Sequence, residues 1–276
     1  MTPLVGIRPG VMLKMEQVSP TGSFKDRGAA LLLALALGAG ETSVVCDSSG
    51  NAGRSVAAYA ARAGLGAEIF VPAGTAETKT AVAREHGARV VVVDGDRESA
   101  ALTAQRRVLS GGGWYASHVH QAAFVHAVKT AAFEIFEQLG GRSPGSVVVP
   151  AGNGSLVQGM WLGFSVLAAT RGSPMPAIVA VQSDRFAVLA GSPPTGESTV
   201  AAGIAIARPS RAGQVRAAVV ASGGCVIAVN DEQIVAAADD LAANGVRVEP
   251  TGATGWAGLT SLGSPPEPVV VVLTGR

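Results

Sequence analysis

The sequence predicts an α/β fold with two doubly wound, Rossmann-like parallel-sheet lobes. Two patterns carry that expectation. Short β-branched runs alternate with Ala-rich stretches of helical length, the signature of strand–helix–strand units. Several of those runs also end in Gly/Ser/Asn loops that open a helix, and open parallel sheets bind ligands at such strand ends.

Strands are expected at "SVVCDS", "AEIFVP", "ARVVVVDG", "WYASH", "SVVVPA", "AIVAVQS", "CVIAVN" and "VVVVLTG". Helices are expected over Ala52–Ala63, Glu77–His86 and Phe124–Leu139, and over a stretch reaching Leu37 with Ser23 as its N-cap. "GGRSPG" reads as a linker and "LAGSPPTGESTVAAG" as a surface loop. The spacing divides the chain into a lobe of residues 43–142 and a larger lobe of 1–42 plus 143–276.

Composition narrows the function classes. At 276 residues the chain holds one large or two modest domains, and 48% hydrophobic with 15% charged residues describes a packed protein. A net charge of +1 and 4% aromatic residues leave neither an electrostatic footprint nor stacking platforms for nucleic acid. The longest apolar run, Ala29–Leu37, is too short to span a bilayer, and a cytoplasmic protein is expected. Cys46 and Cys225 show no metal or redox spacing and read as core residues. His118, His120 and His126 cluster without acidic or Cys partners at ligand spacing, so no metal is expected.

Three loops carry candidate chemistry. In "SPTGSFKDRG", Lys25 falls in the first turn of an apolar helix, where the macrodipole disfavours an ammonium and lowers its pKa. Such a lysine suits Schiff-base chemistry with carbonyls. The chain has only four lysines: Lys14, Lys25, Lys79 and Lys129. In "CDSSGNAGRS", Ser48, Ser49, Gly50 and Asn51 place hydroxyls, an amide and backbone N–H groups at a helix start, a site for a carboxylate or phosphate. A nucleophile elbow around Ser55 is weak, because the last glycine is missing and no histidine follows His126.

In "VVVPAGNGSLVQG", Gly152, Asn153, Gly154 and Ser155 form a loop able to wrap a phosphate. Val157 occupies the third glycine position of a dinucleotide fingerprint, and Met160-Trp161 stand where a P-loop needs Lys and Ser/Thr. A phosphate monoester smaller than a nucleotide fits better. Each loop alone also reads as a charged first turn, a capped strand–helix turn or a plain tight turn.

Together the three loops describe a pyridoxal phosphate site. The sequence resembles the fold-type II pyridoxal phosphate-dependent enzymes, the tryptophan synthase β-like fold, and among them threonine synthase and its near relatives. The resemblance runs through "TPLV", "SPTGSFKDRG", "DSSGNAGRSVAAYAARAG", "IFVPAG", "KTAAFEIFEQLG", "VVVPAGNGSLVQG", "VEPTGA" and "VVVVLTG", in family order over nearly the whole chain. It implies pyridoxal 5'-phosphate in the cleft between the lobes, with Lys25 as its Schiff-base lysine and Phe24 packed near its ring. It implies Asn51 on the ring's 3-hydroxyl, and Ser48, Ser49 and Gly50 (with Asn51) on the substrate. Gly152, Asn153, Gly154 and Ser155 would hold the phosphate, and Thr274 the pyridine nitrogen.

The activity implied is γ-elimination of phosphate from O-phosphohomoserine and hydration to L-threonine. The rivals are a serine/threonine dehydratase-type β-eliminase and a non-catalytic pyridoxal phosphate-binding homologue. A small amino-acid substrate and a homodimer are expected, with no nucleic acid or membrane partner. Departures from the pattern lie on the substrate side: "HVHQAAF" and Ala127 replace an Asn-Pro and a Gly, the region 183–203 is shortened, and relatives run on past Arg276.

Overall fold

The computed structural model describes residues 1–276, which fold as two compact units. The first comprises Met1–Phe24 and Val128–Arg276, the second Lys25–Ala127.

The first unit is built on six strands: β1 (Leu4–Arg8), β2 (Val11–Met15), β7 (Ser146–Pro150), β8 (Ala177–Ser183), β9 (Val226–Val229) and β10 (Val269–Leu273). Their order is β1-β2-β10-β7-β8-β9, parallel except for the β1–β2 hairpin. β7 and β10 are buried along their whole length. Such central strands of a parallel sheet read as unbroken apolar runs, as "SVVVP" and "VVVVL" do. Val148, Val181, Val271 and Leu273 pack with Trp256 and Leu241 into the core. The unit's helices are α6 (Thr130–Gln138), α7 (Ser155–Arg171), α8 (Ala212–Ala221), α9 (Asp231–Ala243) and α10 (Pro250–Ser261).

The second unit carries a four-stranded parallel sheet in the order β5-β4-β3-β6. Its strands are β3 (Ser43–Cys46), β4 (Gly66–Pro72), β5 (Arg89–Val93) and β6 (Trp114–Tyr115). Its helices are α1 (Lys25–Gly38), α2 (Asn51–Ala63), α3 (Glu77–Glu85), α4 (Arg97–Leu109) and α5 (Ala122–Val128), the last ending at the border with the first unit. No helix of the chain is long and apolar enough to cross a membrane.

All eight expected strands form, and three expectations need correction. The stretch Phe124–Leu139 is two helices that meet at Lys129, not one. α7 crowds the segment just there: a Cβ at Gly159 would come within 3.1 Å of the Lys129 nitrogen, and one at Gly163 within 2.7 Å of its carbonyl oxygen. Ser23 does not cap α1. It bridges Gly275, and its buried hydroxyl has no hydrogen-bond partner. Cys225 is exposed, unlike the fully buried Cys46. The β1–β2 hairpin has no counterpart among the expected strands.

Candidate active site

In the first unit the candidate residues gather at the C-terminal ends of β7 and β10. Val148 pairs with Val271 in parallel register, so continuing the two strands sets Thr274 level with Ala151, at the head of the Gly152–Ser155 loop. The segment before α1 is laid across the same end. Phe24 N–H donates to Thr274 O at 3.0 Å, Arg276 N–H donates to Gly22 O at 3.0 Å, and Ser23 bridges Gly275. Gly22 takes φ +87°, the left-handed turn conformation that glycine permits. Phe24 is 9% exposed.

Two hydroxyls at this edge are buried and lack a protein partner: Ser23 Oγ, with Ser23 fully buried, and Thr274 Oγ1, with Thr274 3% exposed. Buried hydroxyls without a partner are uncommon and costly. The loop beside them is shaped by glycine. Gly154 has φ +89°, and a Cβ there would meet Val215 Cγ2 at 2.2 Å; a Cβ at Gly152 would meet Ile204 Cα at 3.1 Å. Gly154 is the N-cap of α7 with no side chain capping the helix, so the first amides of α7 are left for an anion.

In the second unit Lys25 opens α1, whose first turn packs on the start of α2. Ser55 Oγ donates to Asp26 Oδ1 at 2.6 Å within the buried contact. Lys25 Nζ lies 5.5 Å from the centroid of the Phe124 ring, a cation–π distance, and His118 meets the same ring edge-on at 6.0 Å. Phe124 sits this close because Gly28 has no side chain: a Cβ there would fall 2.0 Å from the ring. Lys25 is thus held against an apolar aromatic wall.

The Ser48–Asn51 loop follows β3, and Asn51 is the first residue of α2. Its tight return depends on Gly53, where a Cβ would lie 1.9 Å from Ser48 O. Gly50 N–H donates weakly to Ser48 Oγ at 3.4 Å, and no side chain caps α2. Cys46 beneath the loop is wholly buried; burial, then the neighbouring Asp47 charge, pushes its thiol far above the usual range. It is inert packing. Burial first, and Asp47 second, also push the Tyr115 phenol up.

Lys14 is the contrasting lysine. It is fully buried in β2, and its ammonium donates to Thr2 O (2.8 Å), Glu134 Oε2 (2.7 Å) and Gln138 Oε1 (2.9 Å). Three donors meet three acceptors, which makes Lys14 a structural tie. Lys129 lies 5.9 Å from the Phe133 ring on a partly exposed helix start.

The structure thus assembles Phe24, the Gly152–Ser155 loop and Thr274 in one unit, and Lys25 with Ser48–Asn51 in the other. The sequence reading saw Asp26 as part of a charged first turn, Ser55 as a weak nucleophile candidate and Phe124 as a helix start. It missed the Asp26–Ser55 bond and the fit of Gly28 against the Phe124 ring.

Comparison with known proteins points one way. A family model described as "Pyridoxal-phosphate dependent enzyme" matches residues 1–275. A threonine synthase of Methanosarcina acetivorans is 34% identical over 94% of this chain and 66% of its own length. One from Mycobacterium leprae is 34% identical over 90% of this chain and 70% of its own length, and one from Synechocystis 35% over 90% and 66%. The chain therefore spans about two thirds of the length of these relatives. Among solved structures, a T.th. threonine deaminase superposes with a TM-score of 0.80 at 27% identity, covering 96% of this chain and 86% of that one. Maize serine racemase gives a TM-score of 0.85 at 23% identity over 99% and 87%, a likeness of fold.

The residues present fit that cofactor. A partnerless buried hydroxyl at Thr274 answers a ring nitrogen, and a glycine-shaped loop on an uncapped helix start answers a phosphate.

Proposed function

Because the chain belongs to the pyridoxal-phosphate dependent enzymes, we propose that it is a threonine synthase-like lyase. It removes phosphate from Cγ of O-phosphohomoserine and adds water, giving L-threonine and inorganic phosphate. The observation that carries the reading is the edge of the first unit, where Phe24 is hydrogen-bonded to Thr274 and Lys25 is the next residue in the chain.

When bound, pyridoxal phosphate supplies an electron sink that makes the substrate Cα acidic. The chain's own residues do the rest. Lys25 would anchor the cofactor and carry the proton at the substrate Cα and beyond. Thr274 Oγ1 would donate to the ring nitrogen; a neutral donor there would leave that nitrogen uncharged and favour elimination over transamination. Asn51 would donate to the ring's 3-oxygen, and Phe24 would pack against the ring. Gly152, Asn153, Gly154 and Ser155 hold the phosphate through backbone N–H groups and the α7 dipole. Ser48, Ser49, Gly50 and Asn51 take the substrate's carboxylate or distal group. In this reading the larger unit binds the cofactor and the smaller one carries the substrate loop.

One feature favours a second reading, a serine/threonine dehydratase-type β-eliminase. Asp47, 9% exposed, stands directly before Ser48 and puts a carboxylate beside a loop that would otherwise welcome a substrate phosphate. Incubation with O-phosphohomoserine, L-serine and L-threonine separates the cases. Phosphate and L-threonine from the first substrate support the leading reading; keto acid and ammonia from the others support the second. Cofactor absorbance with no turnover of these three would contradict both and point to a different amino-acid substrate, and absorbance with no turnover of any amino acid would identify a binding homologue. The proposal includes a cytoplasmic homodimer, which sedimentation of the purified chain tests.

A further inference from the structure

Arg211 immediately precedes α8, and its Cβ lies 3.7 Å from the point where a Cβ on Gly154 would sit. Its side chain therefore starts at the Gly152–Ser155 loop. Its Nη1 is buried and has no hydrogen-bond partner. Gln158 Nε2, one turn into α7 from Gly154, is also buried and partnerless. Neighbouring arginines are engaged: Arg216 donates to Leu189 O (3.1 Å) and Val188 O (2.5 Å), and Arg185 faces Glu197 and Asp231 at 3.6 and 3.7 Å.

Arg211 as a whole is partly exposed, so its guanidinium stays charged, while the buried Nη1 leaves a charge-assisted hydrogen bond unmade. Burial lowers the Arg211 pKa from its ordinary value. The natural remedy is an anion. The same place offers the α7 amides and dipole, the glycine-shaped loop, and a second buried donor on Gln158.

We propose that Arg211 is a ligand of the cofactor phosphate, closing over the Gly152–Ser155 loop and neutralising the dianion that the backbone amides hold. The inference rests on the reading of that loop as the phosphate site. It adds a residue from a different segment and gives the chain a means of preferring pyridoxal phosphate over the dephosphorylated vitamer, pyridoxal.

The test is equilibrium binding of pyridoxal phosphate and of pyridoxal to the cofactor-free full chain, followed by absorbance, for wild type, Arg211→Gln and Arg211→Lys. Arg211→Gln is expected to weaken pyridoxal phosphate binding by about 10- to 100-fold, the loss of a charge-assisted pair. Pyridoxal binding should stay within about twofold, and Arg211→Lys should recover part of the loss, since it restores the charge without the planar fork. Arg211→Met, which keeps the packed stem, carries the same comparison if Arg211→Gln does not fold. A wild type that prefers pyridoxal phosphate, with variants that prefer it equally, overturns the role of Arg211 alone. Equal weakening of both vitamers would also overturn it. A wild type that binds both vitamers equally overturns the phosphate loop itself, and this inference with it.

Discussion

Ser55 Oγ donates to Asp26 Oδ1 at 2.6 Å, with Ser55 fully buried and Asp26 only 3% exposed. The bond joins the first turn of α1, which Lys25 opens, to α2, which Asn51 opens. Ser55→Ala leaves a buried carboxylate short of one donor, and hydrogen bonds to charged groups contribute about 1.5–3 kcal/mol. Urea denaturation should show a loss of that size, with the slope unchanged. A loss under about 0.5 kcal/mol would show that the bond does not tie the two helices.

Gly28 and Phe124 form a second paired constraint. Gly28→Ala drives a methyl group into the Phe124 ring and should destabilise by about 1–3 kcal/mol, the usual cost of overpacking. Phe124→Leu alone should destabilise as well, by leaving a gap. The double variant should be more stable than the sum of the two losses predicts, by at least about 0.5 kcal/mol. Strict additivity would mean that the ring moves away freely.

Thr274→Val separates a ligand from a packing residue. Its hydroxyl has no protein partner, so the cofactor-free chain should keep or slightly gain stability. Cofactor affinity should fall about fivefold or more, the value of one hydrogen bond of about 1 kcal/mol. Loss of stability without loss of affinity would assign Thr274 to structure only.

The buried acids predict an alkaline limit. Burial holds Cys46 and Tyr115 protonated well above their ordinary ranges, about 8.5 and 10. The unfolded chain therefore releases these protons first as pH climbs. By linkage the stability is full below about pH 8 and falls above it. Urea midpoints at pH 8, 9 and 10 should decline, less steeply in Cys46→Ala and, at the upper end, in Tyr115→Phe. A thiol reagent at pH 8 should label Cys225 in the native chain and Cys46 only on unfolding.

Much of this was legible in the sequence because it is local. The buried strands β7 and β10 are continuous β-branched runs, and the Gly/Ser/Asn loops stand directly before their helices. The hairpin was hidden for physical reasons. β1 is a largely exposed edge strand without apolar alternation, and β2 carries Lys14, whose burial depends on Glu134 and Gln138 more than a hundred residues away. Ser23 looked like a cap because capping is judged from neighbours, yet the chain turns it toward Gly275. The break at Lys129 is a single residue that keeps near-helical angles (φ −57°, ψ −21°), where the glycines of α7 approach closely. The same distance in sequence hid Arg211, which meets the Gly152–Ser155 loop only where α8 begins.

The central claim is that Lys25 carries the chemistry. Borohydride reduction of the full chain loaded with pyridoxal phosphate, followed by peptide mapping, tests it most directly. The account predicts one pyridoxyl label, on Lys25 in the peptide containing Ser19–Gly28, and none in Lys25→Ala. A label on Lys14, Lys79 or Lys129 in place of Lys25, or no label at all, would contradict it.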